Sequence, residues 1–155
     1  MAADPHVLLH LVDQGQIDHL LSIVTIDEVA QAWVDHGRRE HPLGEAAGDD
    51  PQWWAIELWW KAEWLSNGDR VRSGLLALVD AAVTDHELGR VGAGPLENFV
   101  SDDSDDLRWL EQQCSKNAKL RTALSGVWCS NFVSSDTLMR LDRAAGVPLA
   151  RLASE

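Results

Sequence analysis

The chain has 155 residues, of which 45% are hydrophobic, and this is enough to bury the core of one domain spanning residues 1–155. Its formal net charge of −12 argues against nucleic acid and anionic membranes as partners, because both require an electropositive contact surface. Two cysteines without a CxxC pair, the lack of a signal-like N-terminus and the lack of any apolar run of ~18 residues predict a cytoplasmic protein, and the residue usage suggests a bacterial one.

The first helix signals lie in the N-terminal third of the chain. Residues 5–24 have the pattern of two short helices divided at Gly15. Thr25 and Glu28 have the spacing of a capping box, in which each side chain bonds the backbone N–H of the other residue. This predicts a helix from about Ile26 to His36.

A loop and a long helix are predicted next. His41–Asp49 carries proline, glycine and acidic residues and should be an exposed loop. Asp50 has the character of an N-cap with Pro51 at the first helical position, so that a helix should begin here. We expect it to run to about Ser66 and to end at Asn67-Gly68.

The middle of the chain has apolar residues at helical spacing from Arg70 to Val83, which predicts a broadly buried helix. Thr84 and Glu87 then form a second capping box. After a glycine-rich stretch, Pro95 can begin another short helix because its missing N–H is not needed in a first turn. This short helix would carry Leu96, Phe99 and Val100.

Three more helices are predicted towards the C-terminus, at about Asp105–Ser115, Ala118–Trp128 and Ser135–Ala145. Alternating strand patterns are nearly absent. The sequence therefore predicts an all-α fold with six or more helices. They would form a compact bundle or a short stack of antiparallel helix pairs.

Five of the eight tryptophans fall in the predicted helix that follows Pro51. A helix that is apolar nearly all round is either central in the core or partly exposed as a binding face. Trp53 and Trp60 share one side of an ideal helix, whereas Trp59 lies on another side among small residues. We therefore expect Trp59 to lie at the surface and to contact a partner, and Trp53, Trp59 and Trp60 are the candidate binding tryptophans.

Three charged residues are further candidates for binding. Glu57 lies among the indoles, where burial would make it an acid or base, but Lys61 at i+4 favours an ordinary helix-surface pair. Glu97 would follow Pro95 in a first helical turn, so a capping role is expected for it. Arg90 could supply a cationic group to a ligand pocket.

Metal and cofactor motifs are not evident in the sequence. His6 and His10 have helical spacing without a third ligand, and His86 begins a metalloprotease-like pattern in which Arg90 replaces the second histidine. We therefore expect no metal, no zinc requirement for folding and no cofactor. Nucleophile elbows, phosphate-binding loops and dinucleotide fingerprints are also absent, which disfavours an enzyme.

Three short segments carry a family resemblance: the paired Trp53-Trp54, the Gly-Pro-Leu-Glu motif ending at Glu97, and Leu124–Trp128. Together they resemble a bacterial family of unknown function, of the DUF6869 type, over roughly Ile26–Trp128. The resemblance implies a shared short helical fold and supplies no activity.

Small size, acidity and helicity favour a protein-binding module, such as a regulator or an immunity-type protein. An alternative is a small-molecule-binding protein or enzyme with a Trp-lined pocket that uses Glu57 or Glu97 together with Arg90. A third is a homo-oligomer assembled through the tryptophan-rich helix.

Overall fold

The structure is a computed structural model that describes residues 2–129 and 133–151, and helices make up most of this part of the chain. The helices are α1 (Pro5–Asp13), α2 (Ile17–Ile23), α3 (Ile26–Arg38), α4 (Trp53–Leu58), α5 (Ala62–Leu65), α6 (Gly68–Ala81), α7 (Asp85–Val91), α8 (Glu97–Phe99), α9 (Ser104–Cys114), α10 (Ala118–Ser125) and α11 (Ser135–Ala145). The predicted all-α class with six or more helices is confirmed.

The remaining regular elements are short. A 3-10 turn covers Ala47–Asp49, and a π-helical turn over Gly92–Leu96 joins α7 to α8. Strands β1 (Trp128–Cys129) and β2 (Ala150–Arg151) form a two-residue parallel pair. Over the described ranges, no helix is both long and apolar enough to cross a membrane.

Both predicted capping boxes are present and explain where two helices begin. The hydroxyl of Thr25 accepts the N–H of Glu28 at 3.1 Å, and the carboxylate of Glu28 accepts the N–H of Thr25 at 2.7 Å. Thr84 and Glu87 make the same reciprocal pair at the start of α7. These bonds satisfy N–H groups that the first helical turn leaves without partners.

The chain divides into two compact units, Met1–Ala81 and Ala82–Glu155, so the single domain expected from length stays a prediction. In the first unit α3 packs against α6 and α4, and α1 packs against α4. The largest fully buried side chains of this unit include Leu20, Leu58, Trp64, Leu75 and Leu78.

In the second unit α10 packs against α7 and α11, and α9 packs against α11. The helices α7 and α10 approach closely at Gly92, where a Cβ atom would lie 2.1 Å from the carbonyl oxygen of Ala123. Only a residue without a side chain fits at this separation. The buried leucines of this unit include Leu96, Leu110, Leu120, Leu124 and Leu141.

The single long helix predicted after Pro51 is wrong, because the chain breaks between α4 and α5. Trp59 and Trp60 end α4 with i→i−3 backbone bonds, and Lys61 then takes an extended conformation with ψ of 131°. The break lets the rings of Trp59 and Trp64 both lie against Gly74 of α6. Tertiary packing therefore overrides the local helical pattern.

Two predictions in the second half of the chain also need correction. Pro95 does not start a helix, because it lies inside the π-helical turn, where the N–H of Glu97 bonds the carbonyl of Gly92. Glu97 consequently follows a continuous helical turn and has no free helix start to cap. The helix predicted to reach Trp128 ends at Ser125, and Trp128 instead pairs with Ala150.

Candidate functional site

Trp53 and Glu57 are the two candidate binding residues that the structure brings into direct contact. The indole Nε1–H of Trp53 donates to the Glu57 carboxylate at 3.1 Å, one helical turn away. The ring of Trp53 also lies beside His36, with 5.7 Å between centroids. The predicted pair of Glu57 with Lys61 is not formed, because the break moves Lys61 out of helical register and its Nζ lies 3.9 Å from Asp13.

The prediction that Trp59 lies at the surface is wrong. Trp59 is 4% exposed and packs edge-on against Trp64, whereas Trp60 next to it is 64% exposed. The exposed indole of this segment is instead Trp60. Consecutive residues of a helical turn point about 100° apart, so the end of α4 buries Trp59 and leaves Trp60 exposed.

Arg90 lies in α7 and Glu97 begins α8. Both side chains are half-buried. Burial lowers the pKa of Arg90, and the neighbouring Glu87 partly opposes this effect. Neither Arg90 nor Glu97 lines the best-enclosed cleft of the second unit. Their part in binding stays a prediction.

That cleft lies among α9, α10 and α11 and has a volume of about 390 Å³. Small-molecule sites commonly measure ~300–1,000 Å³, so its size suits a small ligand. Three arginines from two helices contribute to its wall. The lining residues are Glu111, Cys114, Ser115, Arg121, Arg140, Arg143 and Ala144.

The charges of this arginine-lined cleft are only partly neutralised within the protein. Arg140 makes two parallel hydrogen bonds to Glu111, both at 2.8 Å. The hydrogen bonds that Arg140 donates to Glu111 lower the pKa of Glu111 and raise the pKa of Arg140. Arg121 donates to the carbonyl of Cys114, while Arg143 is exposed. One carboxylate therefore faces three guanidinium groups.

Cys114 lies at the base of the arginine-lined cleft. Its side chain is buried, and burial raises the pKa of the thiol to about 11, although Arg121 partly opposes this shift. At neutral pH the sulfur is therefore protonated, whereas the thiolate is the nucleophilic form. The arrangement suits non-covalent binding better than nucleophilic catalysis.

Two aspartates of the acidic segment 102–106 accept hydrogen bonds from residues at the starts of helices in the same unit. Asp103 accepts the N–H groups of Asp105 and Asp106 and caps α9. Asp102 accepts the hydroxyl of Thr137 at 2.6 Å and the backbone N–H of Ser134 at 2.9 Å, and these bonds lower its pKa. These two carboxylates have structural partners.

A second group of chemically competent side chains lies in the first unit, at the end of α3 and in the following loop. His36, His41 and Asp50 place one potential ligand atom each within 4.8 Å of one another. No sequence pattern indicates this group, because its spacing follows no helical period and Asp50 has the sequence character of a helix cap. One of its oxygens does accept the N–H of Gln52, at 2.8 Å.

The arginines of the cleft were also overlooked, because they come from different helices. The sequence feature that could have indicated these arginines is the uneven distribution of charge along the chain. Residues 1–81 hold 14 acidic and 5 basic side chains, whereas residues 82–155 hold 11 and 8.

With this geometry established, comparison with protein families shows one relationship. A model described as a family of unknown function, DUF6869, matches residues 43–147. The chain belongs to DUF6869.

The DUF6869 match begins later and ends later than the expected resemblance over Ile26–Trp128. It includes the tryptophan-rich segment and every residue of the arginine-lined cleft, and it begins after His41. Comparisons with curated proteins and with solved structures give no match. Membership in DUF6869 carries no activity, so a function has to be argued from the sites themselves.

Proposed function

We propose that this protein binds a small organic anion, with a carboxylate or phosphate group, in the arginine-lined cleft. The observation that carries this proposal is three guanidinium groups against one carboxylate around a cleft of about 390 Å³. Arginine presents several N–H donors in a planar fork that matches the oxygens of carboxylates and phosphates. In a chain with a net charge of −12, such a concentration of positive charge is locally selective for anions.

The roles of the cleft residues follow from their contacts. Arg140 is oriented by Glu111, and Arg121 is oriented by the carbonyl of Cys114, so both guanidinium groups are held before a ligand arrives. Exposed Arg143 supplies a further donor, and Ala144 supplies an apolar wall. Arg143 also borders a shallower depression with Met139 and Val147, which would accept an apolar part of the ligand.

Replacing Arg143 with alanine should weaken binding of the anion at least about tenfold, because a hydrogen bond to a charged group contributes ~1.5–3 kcal/mol. Inorganic phosphate, benzoate and phenyl phosphate are the probes, titrated calorimetrically at low ionic strength. Phenyl phosphate should bind best, since it combines the anionic group with an apolar ring. Wild-type protein should show one saturable site.

Arg108→Ala is the matched control, because Arg108 is an exposed arginine on α9 that pairs with Asp105 and does not line the cleft. This variant should bind the probes as the wild type does. Equal losses in Arg108→Ala and Arg143→Ala would indicate general charge attraction and contradict the proposal. Lack of saturable binding by the wild type would also contradict it.

A second candidate function is a protein-binding surface centred on Trp60. Trp60 is 64% exposed, whereas Trp54, Trp59 and Trp64 of the same segment are buried. This exposure favours an interface, because tryptophan is enriched among the residues that dominate protein interfaces. Leu65, which is 45% exposed, follows in α5. Self-association is the kind of protein binding that can be measured with the purified chain alone.

Trp60→Ala should weaken self-association by about 2 kcal/mol, the usual loss for an interface tryptophan, and should leave the protein folded. Sedimentation equilibrium of the wild type and the variant measures this loss. Trp128→Ala removes another exposed indole, 53% accessible, and serves as the control. A wild-type chain that stays monomeric at all concentrations, or equal losses in both variants, would exclude a Trp60-centred dimer.

A further inference from the structure

The histidine-rich loop after α3 brings three metal-binding side chains together. His36 lies in the last turn of α3, His41 in the following loop, and Asp50 directly after the 3-10 turn. The Oδ2 atom of Asp50 lies 2.8 Å from Nδ1 of His36 and 3.2 Å from Nδ1 of His41. Two imidazole nitrogens therefore converge on one carboxylate oxygen.

The orientation of His41 is set by a second contact. Its Nε2 lies 2.9 Å from the backbone carbonyl oxygen of His36. A carbonyl oxygen only accepts, so Nε2 carries the proton and donates it. Nδ1 of a neutral His41 then presents a lone pair towards Asp50. Histidines that bind metals through one nitrogen usually donate the other N–H in this way.

The carboxylate of Asp50 is buried and only half satisfied. Its side chain is 2% exposed, and Oδ1 accepts the N–H of Gln52. Oδ2 has no hydrogen bond of good geometry, but it lies within 3.5 Å of nitrogens of His36, His41 and Arg39, with which it can form ion pairs. An acceptor buried without a hydrogen bond is destabilising. With a neutral His41, the lone pair of Nδ1 would face the anionic Oδ2 at 3.2 Å, and a proton or a bound cation between the two atoms would remove this repulsion.

We propose that His36, His41 and Asp50 bind a divalent transition-metal ion, for which Zn²⁺ is the best suited. Nitrogen and carboxylate ligands favour zinc over Mg²⁺ and Ca²⁺, which prefer oxygen donors alone. Ligand atoms around tetrahedral zinc are roughly 3.3–3.6 Å apart. The two contacts of Asp50 would therefore open slightly, while the widest separation within the group, 4.8 Å, would have to narrow. This proposal departs from the sequence-based expectation of no metal.

The surroundings of these three residues contain both supporting and opposing charges. Oε2 of Glu45 lies 3.5 Å from Nδ1 of His41 and is available as a fourth ligand. Arg39 is the positive group that faces the site, and it forms an ion pair with Glu45. The strongly acidic character of residues 1–81 favours a cation here. Trp53 covers one side of His36.

The test is a calorimetric titration of the full chain with ZnCl₂ after treatment with a chelator. The wild type should bind one equivalent in a saturable manner. His41→Ala and Asp50→Asn should each weaken binding at least about 100-fold, because loss of even an outer contact of a metal site commonly costs 10–100-fold. His41 is 39% exposed, and asparagine keeps the shape of Asp50, so both variants should fold.

His86→Ala is the matched control, because His86 is an exposed histidine of α7 outside this cluster. It should keep the wild-type affinity, and circular dichroism checks that every variant is folded. A titration without a saturable one-to-one site overturns the inference, as does wild-type affinity in either His41→Ala or Asp50→Asn. An equal loss in His86→Ala overturns it too, since it would indicate binding by surface histidines. The arginine-lined cleft is independent of every one of these outcomes.

Discussion

Trp59→Ala should lower the free energy of unfolding by about 3–5 kcal/mol, the range observed when a buried large aromatic side chain is truncated. Trp59 is 4% exposed, and its ring packs edge-on against that of Trp64 with 5.3 Å between centroids. Both rings also contact Gly74, which has no side chain to fill the space that alanine would leave. Urea unfolding followed by circular dichroism measures the loss.

Trp60→Ala is the matched control for this prediction, because it removes the same side chain from the adjacent, exposed position. We expect its free energy of unfolding to stay within about 0.5 kcal/mol of the wild type, as for most surface substitutions. Similar losses in the two variants would mean that Trp59 is not buried while Trp60 is exposed. That outcome would contradict the packing described for this segment.

Gly92→Ala should destabilise the second unit by about 3 kcal/mol, at the upper end of the usual cost of overpacking. The added Cβ would lie 2.1 Å from the carbonyl oxygen of Ala123 and 3.1 Å from the carbonyl carbon of Gly126. Both are backbone atoms, so no side-chain rotation can relieve the clash, and α10 has to move away from the π-helical turn. Thermal and urea unfolding both report the change.

Gly89→Ala tests the same helix without the clash, since a Cβ at Gly89 meets no atom within 4 Å. Alanine is about 0.5–1 kcal/mol more favourable than glycine inside a helix, so this variant should be slightly stabilised. The opposite signs expected at Gly89 and Gly92 separate helix propensity from packing. A Gly92→Ala protein as stable as the wild type would refute the close approach of α7 and α10.

The helix starts could be predicted because they depend on neighbouring residues alone. The capping boxes at Thr25 and Thr84 each involve bonds across three residues, and their residue types identify them without further context. The apolar spacing of the helix after Arg70 is similarly local, and α6 covers nearly the predicted range. The fold class follows from such signals taken together.

The errors arose where distant packing opposes a local pattern. Nothing near Lys61 in sequence interrupts a helix, and the break is explained by the contact of Trp59 and Trp64 with Gly74 on α6. Pro95 has the sequence character of a helix start. In the structure, however, it lies inside the π-helical turn that follows Gly92, and Gly92 is in close contact with Ala123 of α10.

The candidate sites show the same division between local and distant causes. By itself the sequence determined an acidic, all-helical chain and the residues that begin its helices, because charge and capping are properties of composition and short spacing. Only the tertiary structure decided which indole is exposed, that Glu111 meets Arg140 from 29 positions away, and that Asp50 faces His36 and His41. Such contacts depend on how helices pack and where loops return, and no short sequence pattern encodes these distances.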